Sequence, residues 1–293
     1  MTAAVILLAC LLIVRPAWAH TSGEAGGSLE SVMVLCCLLS LFLYLLGFTR
    51  AWRRATRSAS IWRAACFVSG WCLLLLVVLP VTLRAAEASF AFHMAEHELL
   101  MIGVAPLFIL ARPLGSFAWA LPSGGRSFLT AIAASAPART LSLPVVAWVL
   151  QAAALWAWHM PALFEAALVS PALHVLQHAS FLVTALLFWW SLFHGGSAMV
   201  RHGAALLSLF TTVLHSSLLG ALLAMSPIVW YSGPGNAPLF TLEDQQLAGI
   251  IMWVPGGILY VASALWITTD WLRIAERRTS HWERAPEISR RVA

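Results

Sequence analysis

Long apolar runs separated by short polar segments recur from one end of the chain to the other. Seven of them are about 20 residues long, the length an α-helix needs to cross a hydrocarbon core roughly 30 Å thick. They predict helices over about 30–49, 62–83, 88–111, 143–160, 172–193, 203–225 and 246–269. The runs are continuous and do not alternate, which excludes a transmembrane β-barrel. The connection 112–142 carries Pro and Gly and is expected to be irregular, with a short helix near 126–135. Pro106 and Pro255-Gly256-Gly257 are expected to interrupt helices three and seven, and such breaks must face protein or water. Ahead of the seven lies a shorter run, AAVILLACLLIV, followed by the small-x-small site Ala17-Trp18-Ala19. Residues 1–19 therefore read as a signal peptide whose removal leaves His20 at the N-terminus. The expected architecture is an all-α, polytopic membrane protein of seven transmembrane helices. It divides into the signal (1–19), the bundle (20–270) and a basic tail (271–293).

Composition sharpens this reading. Hydrophobic residues make up 61% and charged residues 10% of the 293, against about 25% charged in a soluble domain. The net charge of +5 comes from Arg alone, since the chain has no Lys. With the mature N-terminus outside, 15 of the 17 Arg fall on inner segments. Only Arg84 lies outside, and Arg15 belongs to the signal. That is the positive-inside pattern, so the basicity reports topology and the partner is a lipid bilayer, not nucleic acid. The five Cys (Cys10, Cys36, Cys37, Cys66, Cys72) lie in apolar runs without a CxxC, which gives no zinc or disulfide framework.

The chemistry sits in the histidines. His93 and His97 open helix three, His159 closes helix four, and His174 and His178 open helix five. Each H-x-x-x-H pair shares one helix face, about 6 Å apart along the axis. All five fall in the outer half of the bundle, and His20 lies on that side too. His215 is near the middle of helix six, while His194 and His202 flank an inner loop. Ionisable groups inside a membrane are costly and tend to be functional. The expected site is therefore a metal centre of His93, His97, His159, His174 and His178, with His20 as a further ligand through its amine and ring. It is not the metalloprotease motif, because Met94 and Val175, not Glu, follow the first His of each pair.

Imidazole suits zinc, copper, iron and nickel, and thioether favours Cu(I). Met94 and Met160 adjoin His93 and His159, so copper is expected, with haem held by histidines of two helices as the alternative. Glu96 and Glu98 flank His97, where one is placed to orient a ligand ring. Asp244, in the stretch Glu243 to Gln246, is expected to cap helix seven, with a docking role as the alternative. Trp156, Trp158, Trp189, Trp190, Trp230, Trp253 and Trp271 read mostly as an interfacial belt. No nucleophile triad, P-loop or nucleotide fingerprint is present, so the chain does not read as an enzyme.

The stretches FHMAEHELLMIGVAPLFILARPLG, WHMPALFEAALVSPALHVLQHASFLVTALLFWW and DQQLAGIIMWVPGGILY resemble the CtaG family of cytochrome c oxidase assembly factors. The resemblance covers about residues 88–269. It implies a bacterial inner-membrane protein needed to make an active haem-copper oxidase, with copper handling. The partners it implies are cytochrome c oxidase subunits and a periplasmic copper donor. Two rivals remain open. A copper transporter needs ligands in the inner half, where helix six offers only His215. A membrane cytochrome needs haem between paired histidines.

Overall fold

The computed structural model describes residues 25–54, 60–79, 88–194, 198–232 and 239–292. The predicted signal segment and His20 lie outside the described residues. The described residues are all helical in architecture, with the order α1 (Ala25–Arg53), α2 (Ile61–Val78) and α3 (Phe90–Glu98). A π-helical turn, Leu99–Val104, then leads into α4 (Ala105–Ala111). The connection that follows holds α5 (Leu114–Ala120), α6 (Ser123–Ala134) and α7 (Ala136–Leu141). The chain continues through α8 (Pro144–Trp158), α9 (Pro161–Val169), α10 (Pro171–His194), α11 (Ala198–Met225) and α12 (Leu242–Val292). Among the described residues, six helical segments are long and apolar enough to cross a membrane, and a seventh is completed if α8 and α9, bent by 74°, count as one. The polytopic, all-α class follows.

Several expectations are corrected. Helix two ends at Val78, because Leu79 precedes Pro80 and is pushed to an extended conformation (ψ 140°). The connection 112–142 holds the short helix expected near 126–135, as α6, but is helical on both sides of it as well, with α5 and α7 in place of irregular chain. The turn expected between helices four and five contains α9: Pro161 and Pro171 each take the first helical position, where the missing N–H costs nothing. Pro255-Gly256-Gly257 does not interrupt helix seven, which runs unbroken through Trp271 to Val292. Trp158 and Trp189 are buried within the bundle and do not face its outer surface.

The helices pack as membrane helices do, with small and polar residues inside and large apolar ones outside. On α11, Leu207, Phe210, Leu214, Leu218 and Leu222 are exposed, while Thr212 and Ser216 face inward. Each of these hydroxyls donates to the carbonyl one turn back, at 2.7 Å. Gly220 and Gly249 set the crossing of α11 and α12. A Cβ on Gly249 would meet the Gly220 carbonyl oxygen at 2.6 Å.

Helix three is interrupted in hydrogen bonding at Pro106. The Ala105 amide bonds to Leu100, five residues back, and so abandons the Met101 carbonyl. In the π pattern the next donor to Met101 would be Pro106, which has no N–H. Trp189 of α10 fills the gap, its Nε1–H donating to the Met101 carbonyl at 2.9 Å. An indole from a neighbouring helix thus satisfies the carbonyl that the proline strands.

Candidate metal centre

His93 and His97 project from the first turns of α3, and His174 and His178 from the first turns of α10. The two helices bring them into one four-ring layer. Within α3 the ring centroids of His93 and His97 lie 4.4 Å apart, and within α10 those of His174 and His178 lie 4.3 Å apart. Across the helices, His93 meets His174 at 5.4 Å and His97 meets His178 at 5.1 Å. His93 and His97 are each only 1% exposed. His93 Nε2, both nitrogens of His97 and His178 Nε2 are buried without a hydrogen-bond partner among the described residues. Buried polar atoms are rarely left so, and one such atom costs about 1–3 kcal/mol.

The layer offers donors of a type that binds metals, since neutral imidazole suits zinc, copper, iron and nickel. With metal–nitrogen bonds of about 2.0 Å, two imidazoles on one tetrahedral ion have ring centroids about 5 Å apart. Two cross-helix separations, 5.4 and 5.1 Å, lie close to that value, while His93–His178 at 6.2 Å is longer and the pairs within each helix, at 4.4 and 4.3 Å, are shorter. The side chains are not yet turned to a common point: among the described residues no three His, Cys, Asp or Glu form a ready coordination set. The rings pack edge to face or tilted against one another instead. Phe164 borders His93 at 5.2 Å and Phe181 borders His97 at 4.6 Å, while His174 is half-buried.

The other predicted residues distribute unevenly. His159 is buried beside the layer, its ring 6.4 Å from Phe181. Its Nδ1 donates to the Leu155 carbonyl at 2.6 Å, and its Nε2 lies 3.4 Å from the Met94 sulfur. Met160 is 58% exposed and points away. Glu96 is buried with neither oxygen bonded among the described residues, so it does not hold the His97 ring. Glu98 points toward α12, where Gly256 leaves room: a Cβ there would lie 3.3 Å from Glu98 Oε2.

Asp244 caps a helix, but not its own. Its carboxylate accepts from the Ser89 hydroxyl at 2.8 Å and from the amides of Phe90 (2.6 Å) and Ala91 (3.2 Å), at the start of α3. The Asp244 amide itself bonds to Thr241 Oγ1 at the start of α12. Helix seven thereby fixes the end of the helix that carries His93 and His97. A single sequence gives no sign of such capping between helices, although Ser89 ahead of α3 is a readable N-cap.

An aromatic lid closes the layer. Phe164 of α9 meets Phe90 at 5.2 Å and Tyr231 at 4.3 Å, and Phe240 stacks on Phe90 at 5.3 Å. The lid is pinned by Glu165, which accepts from the Ser232 amide at 2.7 Å, and by Tyr231, which donates to the His159 carbonyl at 3.2 Å. Burial, and then the neighbouring Glu165 charge, push the Tyr231 phenol above its ordinary range, so it remains a donor.

Fold and site together define a polytopic helical membrane protein with a buried histidine layer near one end of its bundle. The family model for the cytochrome c oxidase caa3 assembly factor (Caa3_CtaG) matches residues 42–274, and the chain belongs to that family. The match takes in the second part of helix one and all of helix two, beyond the three stretches that carry the resemblance in sequence. The chain is also 27% identical over 256 residues to an uncharacterised protein of Mycobacterium bovis, Mb0105. It shows the same identity to one of Mycobacterium tuberculosis, MT0111. In both cases 82% of this chain and 38% of the relative are covered, so the chain spans about two fifths of the length of these relatives. No solved structure matches the chain.

Proposed function

We propose that the protein is an inner-membrane assembly factor that holds copper on His93, His97, His174 and His178 near the periplasmic face and assists its insertion into cytochrome c oxidase. The observation that carries this is the four-imidazole layer, in which buried nitrogens of His93, His97 and His178 lack partners among the described residues. Neutral imidazole is a copper donor, and copper here is cargo: the layer need only hold it dry and release it. The Arg distribution favours an outer position for the layer, facing the compartment in which a periplasmic copper donor would meet it.

The packing favours copper over haem. A haem requires a flat macrocycle between two axial rings, and here four rings touch one another with Phe164 and Phe181 against them. A transporter reading draws less support. In the inner direction the next histidine, His215, has Trp148 against its ring at 5.8 Å and no second imidazole beside it among the described residues.

The test is a deletion strain. Oxidase activity should fall while other membrane functions persist, and added copper should restore part of it. Normal oxidase activity in that strain, under copper limitation as well, would contradict the proposal.

A further inference from the structure

The contact between His159 and Met94 has an unusual electronic character. His159 Nδ1 lies 2.6 Å from the Leu155 carbonyl oxygen. A carbonyl can only accept, so Nδ1 carries the hydrogen. In a neutral ring Nε2 is then left with a bare lone pair. That lone pair looks at Met94 Sδ from 3.4 Å, and a thioether has lone pairs of its own and no hydrogen to give. Two electron-pair donors therefore face each other with no proton between them. Both side chains are buried, and the joint that carries His159 is held by Tyr231, which donates to its carbonyl. The arrangement is complete except for an electron-poor partner.

We propose that Met94 and His159 form a second site, selective for Cu(I), beside the four-histidine layer. It rests on the copper reading above and deepens it. One imidazole nitrogen with one thioether sulfur is a soft donor set, which discriminates for Cu(I), whereas the all-nitrogen layer does not. Bonds of about 2.0 Å to nitrogen and 2.3 Å to sulfur close on the 3.4 Å base at roughly 100°, an angle that leaves room for a third donor. His97 is the candidate for that third donor. It lies three residues beyond Met94 on α3, hence on an adjoining face, and both its nitrogens are unpartnered among the described residues. His97 then stands between the two sites as the group through which copper passes from one to the other.

The experiment uses the full-length protein in detergent, loaded anaerobically with Cu(I). Copper per chain is titrated against a chromophoric Cu(I) chelator, and the ligands are read by X-ray absorption at the copper edge. Wild type should hold two Cu(I), with a sulfur neighbour at about 2.3 Å seen for one of them. Met94→Leu, close in volume to the native residue, should lower the count to one and abolish the sulfur signal. His93→Ala/His178→Ala should remove the other ion and keep the sulfur-bound one. A wild type with one copper, or with no sulfur neighbour, overturns the second site while leaving the four-histidine reading intact. So does a folded Met94→Leu protein that keeps both ions. A wild type that binds no copper overturns both. The absorption spectrum of the wild type decides the matter even if the variants fail to fold.

Discussion

Replacing Asp244 by Ala removes one carboxylate from α12 and strands three donors at the start of α3. The Ser89 hydroxyl and the amides of Phe90 and Ala91 all lose their acceptor. Hydrogen bonds to a charged group are each worth about 1.5–3 kcal/mol, and loss of an N-cap alone costs about 0.5–2 kcal/mol. The three share one carboxylate and do not add, and the site is only part-buried, so water recovers some of the loss. The expected net cost is about 2–4 kcal/mol. Reversible unfolding in mixed micelles, titrated with dodecyl sulfate and followed by tryptophan fluorescence, reads it directly. Asp244→Asn keeps one acceptor oxygen and should lose roughly half as much. Because the cap fixes the helix that carries His93 and His97, Asp244→Ala should also weaken copper retention. An Asp244→Ala protein within about 0.5 kcal/mol of wild type would refute the view that helix seven anchors the histidine helix.

Three further outcomes are expected. Trp189→Phe strands the Met101 carbonyl beside Pro106 and should cost about 1–3 kcal/mol in the same unfolding assay. Gly249→Ala drives a methyl group into the Gly220 carbonyl and the Ala224 amide; it should cost about 3 kcal/mol and sharply lower the folded yield. Reporter fusions at Arg57 and after Arg291 should both report cytoplasm, and a periplasmic signal from either would put the histidine layer on the wrong side.

The spans were readable because apolar length is a composition signal that tertiary packing hardly alters. The two H-x-x-x-H pairs were readable because 3.6 residues per turn puts both rings of a pair on one face. Which helices meet is another matter. His159 looks like a fifth member of the layer in sequence, yet its ring turns to the Leu155 carbonyl and the Met94 sulfur. Met160 adjoins it in sequence and faces outward. Asp244 stands at the start of one helix and caps another, a relation that only the packed bundle creates. Helix seven passes through Pro255-Gly256-Gly257 because local breakers are overruled when a helix is held in apolar surroundings, where an unmade backbone bond is expensive. The turn between helices four and five hid α9, because proline signals the end of one helix and the start of the next with the same letter.

The central claim is that four imidazoles hold copper as one unit. The most direct measurement is copper content per chain in a folded His97→Ala/His178→Ala protein, with wild type and His202→Ala for comparison. His202, whose ring nitrogen lies 3.2 Å from Asp270, is remote from the layer and should leave copper unchanged. Each single change should already release the nitrogen-bound copper, and the second should add little, as expected of residues that work together. The account predicts that the double variant elutes as a folded species and has lost that copper. Full copper content in the same folded species would mean that these histidines only hold α3 and α10 together.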